Sequence, residues 1–475
     1  MEANKNLCVD LDGTLIRSDT LLESLLILLK KKTWKLIFIP YWLIHGKAYF
    51  KHKISQEVDL DPSLLPYHKE FLDYLRKEHT KGRKLILATA ANERIANKVA
   101  NHLGIFSSVF SSTKQMNLSG SNKRDMIKGH MANFAYAGNA SVDLPIWLES
   151  SEIIAANVRQ SVLNRAKKIN GEVLTFGIKK FRPLIILKSI RVYQWVKNLL
   201  VFLPLMLSHQ IFDWDLLSSS ILAFMSFCFC SSSAYLVNDL MDLEADRKHP
   251  EKCRRPFASG ELSLFYGIIG APILLVLGLT LSASLSLKLC ALLATYYLLT
   301  LCYSFFLKSL LLIDVVVLSV LYFIRIGAGS VSTSIKLSAW MAVFSVFLFF
   351  TLALVKRISE LKILEQQNQD KTPGRSYLVS DLNYLVNMGI SSGYIAVLVL
   401  ALYINSNHVN TLYQSPNLLW PICVMLLYWI SYLWMQVQRG KMCSDPIIFT
   451  LRDPRSYLIL FLSVLCAVSA KIFDI

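Results

Sequence analysis

Two short acidic stretches have residue types and spacings that could do chemistry. The first, Asp10-Leu11-Asp12-Gly13-Thr14, directly follows the apolar run Asn6 to Val9. Two carboxylates two residues apart beyond a buried strand suit a nucleophile and a general acid/base, and Gly13 allows a tight turn around bound phosphate. The second, NDLMDLEADRKHPEKCRRPFASGEL from Asn238 to Leu262, holds six acids and five Lys/Arg between two long apolar runs. If the preceding helix continues past Val237, Asn238, Asp242 and Asp246 recur every four residues with Asp239 beside them, so they share one face. Carboxylates so crowded repel unless a divalent cation intervenes, and three of them with an amide are hard oxygen ligands suited to Mg²⁺. Pro250 then stops the helix, and the basic residues around it form a phosphate-seeking surface.

The elements that must position these residues fall into two kinds. The 475 residues are 54% hydrophobic with a mean hydropathy of +0.43, which marks an integral membrane protein. Up to about residue 190 charge and apolar residues mix as in a soluble domain. Beyond it, nine spans are expected near 195–212, 216–237, 262–282, 289–306, 310–329, 337–355, 384–404, 418–437 and 457–473. With the N-terminus inside, the connections after the second, fourth, sixth and eighth spans carry fifteen Lys/Arg, against only Lys288 and Lys336 on the other side. That asymmetry predicts both acidic stretches on the cytoplasmic face. The opening residues lack a basic region followed by an apolar one, so no cleavable signal peptide is expected. The nine cysteines form no CxxC pair, and Cys228 and Cys230 read as small packing residues. The net charge of +17 is concentrated beside and between spans. It therefore points to anionic lipid headgroups and phosphorylated substrates, not nucleic acid.

Further ionisable residues lie within or beside the later spans. YSFFLKSLLLIDVVVLSVLYFIRIGAG places Tyr303 and Lys308 at one connection, Asp314 just inside the next span and Arg325 about three turns deeper. Such residues are costly in a bilayer and normally face a cavity or a partner. KRISEL adds Lys356, Arg357 and Glu360 at the next cytoplasmic connection.

These motifs resemble the UbiA superfamily of intramembrane prenyltransferases: NDxxDxxxDR, its HPxK and RPxASG continuation, and nine spans with acid-rich connections. QWVKNLLVFLPL, DRKHPEKCRRPFASG, YSFFLK with DVVVLSVLYFIRIGAG, and KRISEL are similar to the decaprenyl-phosphate phosphoribosyltransferase branch, over roughly residues 185 to 475. The resemblance implies Mg²⁺-dependent transfer of 5-phosphoribose from phosphoribosyl pyrophosphate to a polyprenyl phosphate, with release of pyrophosphate. It implies Asp239, Asp242 and Asp246 as metal and pyrophosphate ligands and Asn238 as an orienting group. Lys197, Arg247, Lys252, Lys308, Arg325 and Lys356 become phosphate contacts, with Tyr303 and Asp314 also on substrate. Cleaving the anomeric bond to pyrophosphate develops negative charge on the leaving group, which a metal-carboxylate site flanked by cations would accept. In DVVVL, Leu318 stands where aromatic prenyltransferases have a second acid, so part of a second metal clamp is missing.

The first stretch also has ordered companions. KLILATA ends at Thr89, SNKRDMI contains Lys123, and FAYAGNASVDLPIW contains Gly138, Asn139 and Asp143. The series resembles a haloacid dehalogenase phosphatase over about residues 1 to 160. It implies Asp10 as the phosphorylated nucleophile, Asp12 as proton handler, Thr89 and Lys123 on phosphate, and Asp143 as a metal ligand with Asp10 and Asp12. Asn139 stands where the family often has Asp.

The expected fold class is thus multidomain: a cytoplasmic α/β, Rossmann-like haloacid dehalogenase domain (1–160), then an all-α, nine-helix UbiA-type bundle (191–475). A helical cap is expected at about 15–84, with LLESLLILLKKKTWKLIFIPYWLIHGKAYF lying on the membrane surface as a hairpin. Residues 161–190 read as a basic juxtamembrane linker. The combined reading is a bifunctional enzyme of the bacterial inner membrane, whose phosphatase removes the 5-phosphate left by transfer. Two rivals stand beside it: a UbiA-type enzyme using prenyl diphosphate with an aromatic or other acceptor, and a lipid transporter with a degenerate phosphatase-like scaffold.

Overall fold

The computed structural model describes residues 6–179, 182–370, 375–442 and 446–473, without the side chains of His408 and Asn410. The chain divides into two compact units, Met1–Arg191 with Tyr235–Pro272, and Val192–Ala234 with Ile273–Ile475.

The first unit is built on six parallel strands: β1 (Asn6–Val9), β2 (Leu85–Asn92), β3 (Ser108–Ser112), β4 (Phe134–Gly138), β5 (Glu152–Val158) and β6 (Val173–Ile178). Their order is β3-β2-β1-β4-β5-β6. Side chains alternate between two cores, as the two-residue period of a strand demands. Leu7, Val9, Leu85 and Leu87 enter one core, and Cys8, Ile86 and Ala88 the other. A sheet buried on both faces explains why these strands read as nearly continuous apolar runs. The strand order reverses between β1 and β4, which places a crevice at their carboxyl ends. Asp10 leaves β1 at that point and Asn139 leaves β4. This is the Rossmann-like α/β domain expected from the sequence.

The expected linker is largely part of this domain. Gln160–Ile169 forms a helix and β6 pairs in parallel with β5, so the fold runs on to Ile178. The basic residues obscured an amphipathic helix that buries Val162, Leu163 and Ala166. The cap is helical as expected, beginning with α1 (Thr20–Lys31) and continuing through Thr33–Phe38, Ile39–Ile44, Lys47–Glu57 and Lys69–Thr80. Thr33–Ile44 is apolar but far shorter than the roughly 20 residues a span needs. It exposes Trp34, Ile37 and Ile44, the last at 83%.

Among the described residues, eight helices are long and apolar enough to cross a membrane: Trp214–Met241, Leu264–Leu285, Leu287–Phe305, Ile313–Thr333, Ala339–Gln366, Val379–Ile404, Pro416–Gln438 and Pro454–Ile472. The protein is therefore an integral, multi-pass membrane protein. The expected first span at 195–212 is different: Pro183–Ser189 and Val192–Leu207 are bent by 53° and make a ninth span only if taken together. The break falls at Arg191, whose φ of 54° no helix interior adopts.

Candidate functional site

The first candidate site grows from the end of β1. Asp10 anchors its N–H on the Ala137 carbonyl of β4 (3.0 Å), so the nucleophile candidate stands at the point where the sheet order reverses. Gly13 turns the following loop at a φ of +76°, with the Asn139 amide packed where a Cβ would stand. That close approach requires glycine there. Asn157 also holds the loop, donating Nδ2–H to the Gly13 carbonyl (3.2 Å). Lys123 Nζ donates to Asp10 Oδ1 (2.7 Å) and to the Tyr136 hydroxyl (3.0 Å). Burial disfavours its charge, but the carboxylates of Asp10 and Asp143 outweigh burial and hold its pKa above the ordinary value. Burial pushes both Asp10 and Asp12 upward; Lys123 opposes the rise at Asp10, and repulsion from Asp19 adds to it at Asp12. A group protonated near neutrality is what a general acid requires.

Asp12 accepts from the N–H (2.8 Å) and hydroxyl (3.2 Å) of Thr20, the first residue of α1. Thr89 is fully buried and accepts from the Ala91 N–H (3.0 Å). Asp143 lies in the same neighbourhood, but its oxygens accept from Tyr136 Oη (2.9 Å) and from the N–H groups of Asn139 (2.9 Å) and Ala140 (3.0 Å). It therefore shapes the loop that carries Asn139. A cavity of about 360 Å³ opens beside Asp12, lined among others by Leu43, Lys47, Lys51 and Asn117. Lys51 reaches from the cap to the Ala90 carbonyl (2.7 Å) and Asn117 Oδ1 (2.9 Å).

The acidic segment belongs to the same compact unit. The helix Trp214–Met241 ends just before Asp242 and a new helix, Leu243–Lys248, follows. The Asp242 N–H still reaches the Asn238 carbonyl (2.9 Å), and the Asp246 N–H the Asp242 carbonyl (2.8 Å), so the four-residue register persists across the break. Asp239 and Asp246 are nearly buried, and the same Nη1 of Arg255 donates to both, at 3.0 and 2.7 Å. Arg191 also pairs with Asp239. Asp242 parts from them and pairs with Lys30 of α1 (3.6 Å). Among the described residues no three Asp, Glu, His or Cys side chains converge on one cation position. Of the expected Asp239–Asp242–Asp246 trio, Asp239 and Asp246 share Arg255, and Asp242 pairs with Lys30. Asn238 is half-buried and Lys252 exposed in this segment. Arg247, expected on phosphate, gives both terminal nitrogens to Glu23 of α1, at 3.0 and 2.6 Å.

The second unit holds two buried charge clusters. Asp314, in the first turn of Ile313–Thr333, has no exposed surface and accepts from Arg357 Nε, from the Tyr377 hydroxyl, and from Arg375 Nη1 (3.4 Å). Arg357 also reaches Glu360 (2.7 Å) and the Tyr303 hydroxyl (2.7 Å). Deeper in the same helix, Arg325 donates to Asn198 Oδ1 (2.9 Å), the Leu321 carbonyl and Tyr296 Oη (2.8 Å), with its guanidinium over the Tyr296 and Tyr322 rings. It ties the broken segment Val192–Phe202 to the spans. Lys197 is buried on that segment, while Lys308 and Lys356 are half-buried.

Sequence reasoning missed Arg191, Arg255, Arg375, Tyr377 and Glu23 as partners of these groups. Glu23 left a signal, as the one acid within the apolar run LLESLLILL, and Arg255 as the first residue of the RPxASG motif.

The model of the UbiA prenyltransferase family matches residues 199–467. The chain is 32% identical over 457 residues to the uncharacterized protein y4nM of Sinorhizobium fredii, covering 95% of this chain and 88% of that one. It is 31% identical over 295 residues to a decaprenyl-phosphate phosphoribosyltransferase of Mycolicibacterium smegmatis, covering 61% of this chain and 92% of that enzyme. A solved UbiA homolog from Archaeoglobus fulgidus bound to DMAPP and Mg²⁺ aligns with 59% of this chain and 98% of its own, at 16% identity and a TM-score of 0.46. The matched model spans more than half of the sequence, and the chain belongs to the UbiA prenyltransferase family, with a parallel-sheet, Rossmann-like α/β domain at its N-terminal end.

Proposed function

We propose that the protein transfers 5-phosphoribose from phosphoribosyl pyrophosphate to a polyprenyl phosphate at the cytoplasmic face of a bacterial inner membrane, and then removes the 5-phosphate. The observation that carries the transfer half is Arg255 Nη1 lying within hydrogen-bond distance of both Asp239 and Asp246. Two nearly buried carboxylates that flank one cationic nitrogen are close enough to share one cation, and their oxygens suit Mg²⁺. Similarity to the mycobacterial phosphoribosyltransferase supports this donor and acceptor.

Asp239 and Asp246 would hold Mg²⁺, with Asp242 and Asn238 next to them in the same register. Held there, Mg²⁺ would supply charge neutralisation for the departing pyrophosphate. Arg255 and Arg191 are placed to exchange carboxylate oxygens for pyrophosphate oxygens as the donor enters, since guanidinium binds either anion in the same fork geometry. The acceptor phosphate is already an anion and attacks the anomeric carbon as its bond to pyrophosphate breaks.

In the N-terminal domain, Asp10 attacks the phosphorus of the 5-phosphate while Asp12 protonates the departing ribose oxygen. Water then hydrolyses the aspartyl phosphate, with Asp12 taking its proton. Lys123 stabilises the phosphoryl oxygens. Asp10 and Asp12 would hold Mg²⁺ together with neutral oxygens such as Asn139, whose amide packs on the same loop.

The test uses full-length protein in detergent with labelled phosphoribosyl pyrophosphate and polyprenyl phosphate, the products identified by mass spectrometry. Wild type should give polyprenyl-phosphoryl ribose. Asp239→Asn and Asp246→Asn should lose transfer, and Asp10→Asn should accumulate the 5-phosphorylated lipid. If wild type accepts only prenyl diphosphate as donor, the phosphoribosyl assignment fails. If Asp10→Asn gives the same dephosphorylated lipid as wild type, the phosphatase assignment fails.

A further inference from the structure

We infer that helix α1 of the phosphatase-type domain is a working part of the transfer site, with Glu23 as the positioning residue for its acidic segment. The inference rests on the reading of that segment as the transfer site. Three separate contacts carry it. Glu23 grips both terminal nitrogens of Arg247, at side-chain exposures of 4% and 7%, and accepts from Ser18 Oγ. Lys30 donates to the carbonyl of Met241 (2.7 Å), the last residue of the helix that leads into the segment, and pairs with Asp242. Gly260, at a φ of +72°, lies so close to the N-terminal domain that a Cβ there would stand 2.7 Å from Arg17 Cβ and 3.3 Å from Pro66 Cβ.

The position of α1 gives these contacts a consequence. Its first residue, Thr20, holds Asp12 of the phosphatase loop through two hydrogen bonds. Its last turn, roughly 15 Å away at about 1.5 Å per residue, holds the backbone break between Asp239 and Asp246. A rigid helix therefore joins the proton-handling carboxylate of one site to the metal segment of the other. Arg247 is one residue from Asp246 in sequence and also donates from Nε to the Ala258 carbonyl (3.0 Å). Fixing Arg247 thus fixes both ends of the loop that carries Arg255, the residue bridging Asp239 and Asp246. An unpaired guanidinium left in so buried a place must move to find water or another anion, and the carboxylate pair would move with it.

Glu23→Gln keeps the shape of the side chain and removes its charge. In the full-length protein, hydrogen exchange of amides 238–260 should quicken while that of β1 and β2 stays slow. The Mg²⁺ concentration for half-maximal transfer should rise by about tenfold, on the scale of outer-shell changes at metal sites, with a smaller change in kcat. The swapped pair Glu23→Arg with Arg247→Glu should bring both readouts back toward wild type, and Glu23→Asp should lie between. A loss of kcat with the metal dependence unmoved, or faster exchange with transfer unchanged, overturns the positioning role. If wild type transfers no phosphoribose, the donor assignment fails by itself. Exchange of 238–260 then decides the inference alone, and exchange unchanged in Glu23→Gln overturns it.

Discussion

Arg357→Met tests whether buried charge or plain hydrogen bonding holds the Asp314 cluster together. Arg357 and Asp314 are 1% and 0% exposed, so the substitution strands a carboxylate inside the bundle. Breaking such a pair from one side costs about 3–5 kcal/mol, whereas a neutral hydrogen bond between membrane helices is worth about 0.6 kcal/mol. The surroundings favour the lower end of the first range. Arg375 remains 3.4 Å from Asp314, and the Tyr377 hydroxyl still donates to it, so about 3 kcal/mol is expected. Asp314→Asn should cost less, because Arg357 keeps Glu360 at 2.7 Å. Removing both charges, as Asp314→Asn with Arg357→Met, should cost less than Arg357→Met alone, since no charge is left without a partner. The assay is equilibrium unfolding of full-length protein in mixed detergent micelles, following tryptophan fluorescence, for wild type, both single variants and the double. A cost under about 1 kcal/mol for Arg357→Met, or simple additivity in the double variant, would refute the argument from charge burial.

Three further outcomes follow from the geometry. Arg325→Met removes the donors to Asn198, the Leu321 carbonyl and Tyr296 and should lower stability by about 2 kcal/mol, with faster proteolysis within residues 192–202 as the local readout. For the proposed phosphatase reaction, burial raises the Asp12 pKa, so its acid form persists to higher pH than an exposed Asp allows. Hydrolysis of a soluble phosphomonoester should therefore fall as pH rises through that raised value, and Asp12→Asn should abolish this alkaline limb along with most of the rate. Trp34→Ser with Ile37→Ser and Ile44→Ser removes the exposed apolar side of the cap hairpin. It should slow dephosphorylation of a lipid-linked substrate in liposomes several-fold and leave a water-soluble phosphomonoester unaffected, if that face seats the cap on the membrane.

Local pattern in the sequence was enough to define much of the protein. Continuous apolar runs ending in DLDGT and GNAS specified buried parallel strands with their loops at one end of a sheet, because a strand covered on both faces admits no polar alternation. The later spans were legible for an equally local reason: a helix in lipid must satisfy its own backbone and be apolar along its whole length. The four-residue spacing of Asn238, Asp242 and Asp246 fixed their register. What spacing could not decide was which side chains meet. A carboxylate is satisfied by any cation that arrives, and Arg191, Arg357 and Arg375 come from 43 to 61 residues away, while Arg255 arrives from the same acidic stretch. So Asp239 and Asp246 share Arg255, while Asp242 pairs with Lys30. Arg247 looked like a phosphate contact because a basic residue after an acidic motif has no visible partner in sequence. Only tertiary structure brought Glu23 to it across 224 residues, in a place buried enough that the charge of each requires the other.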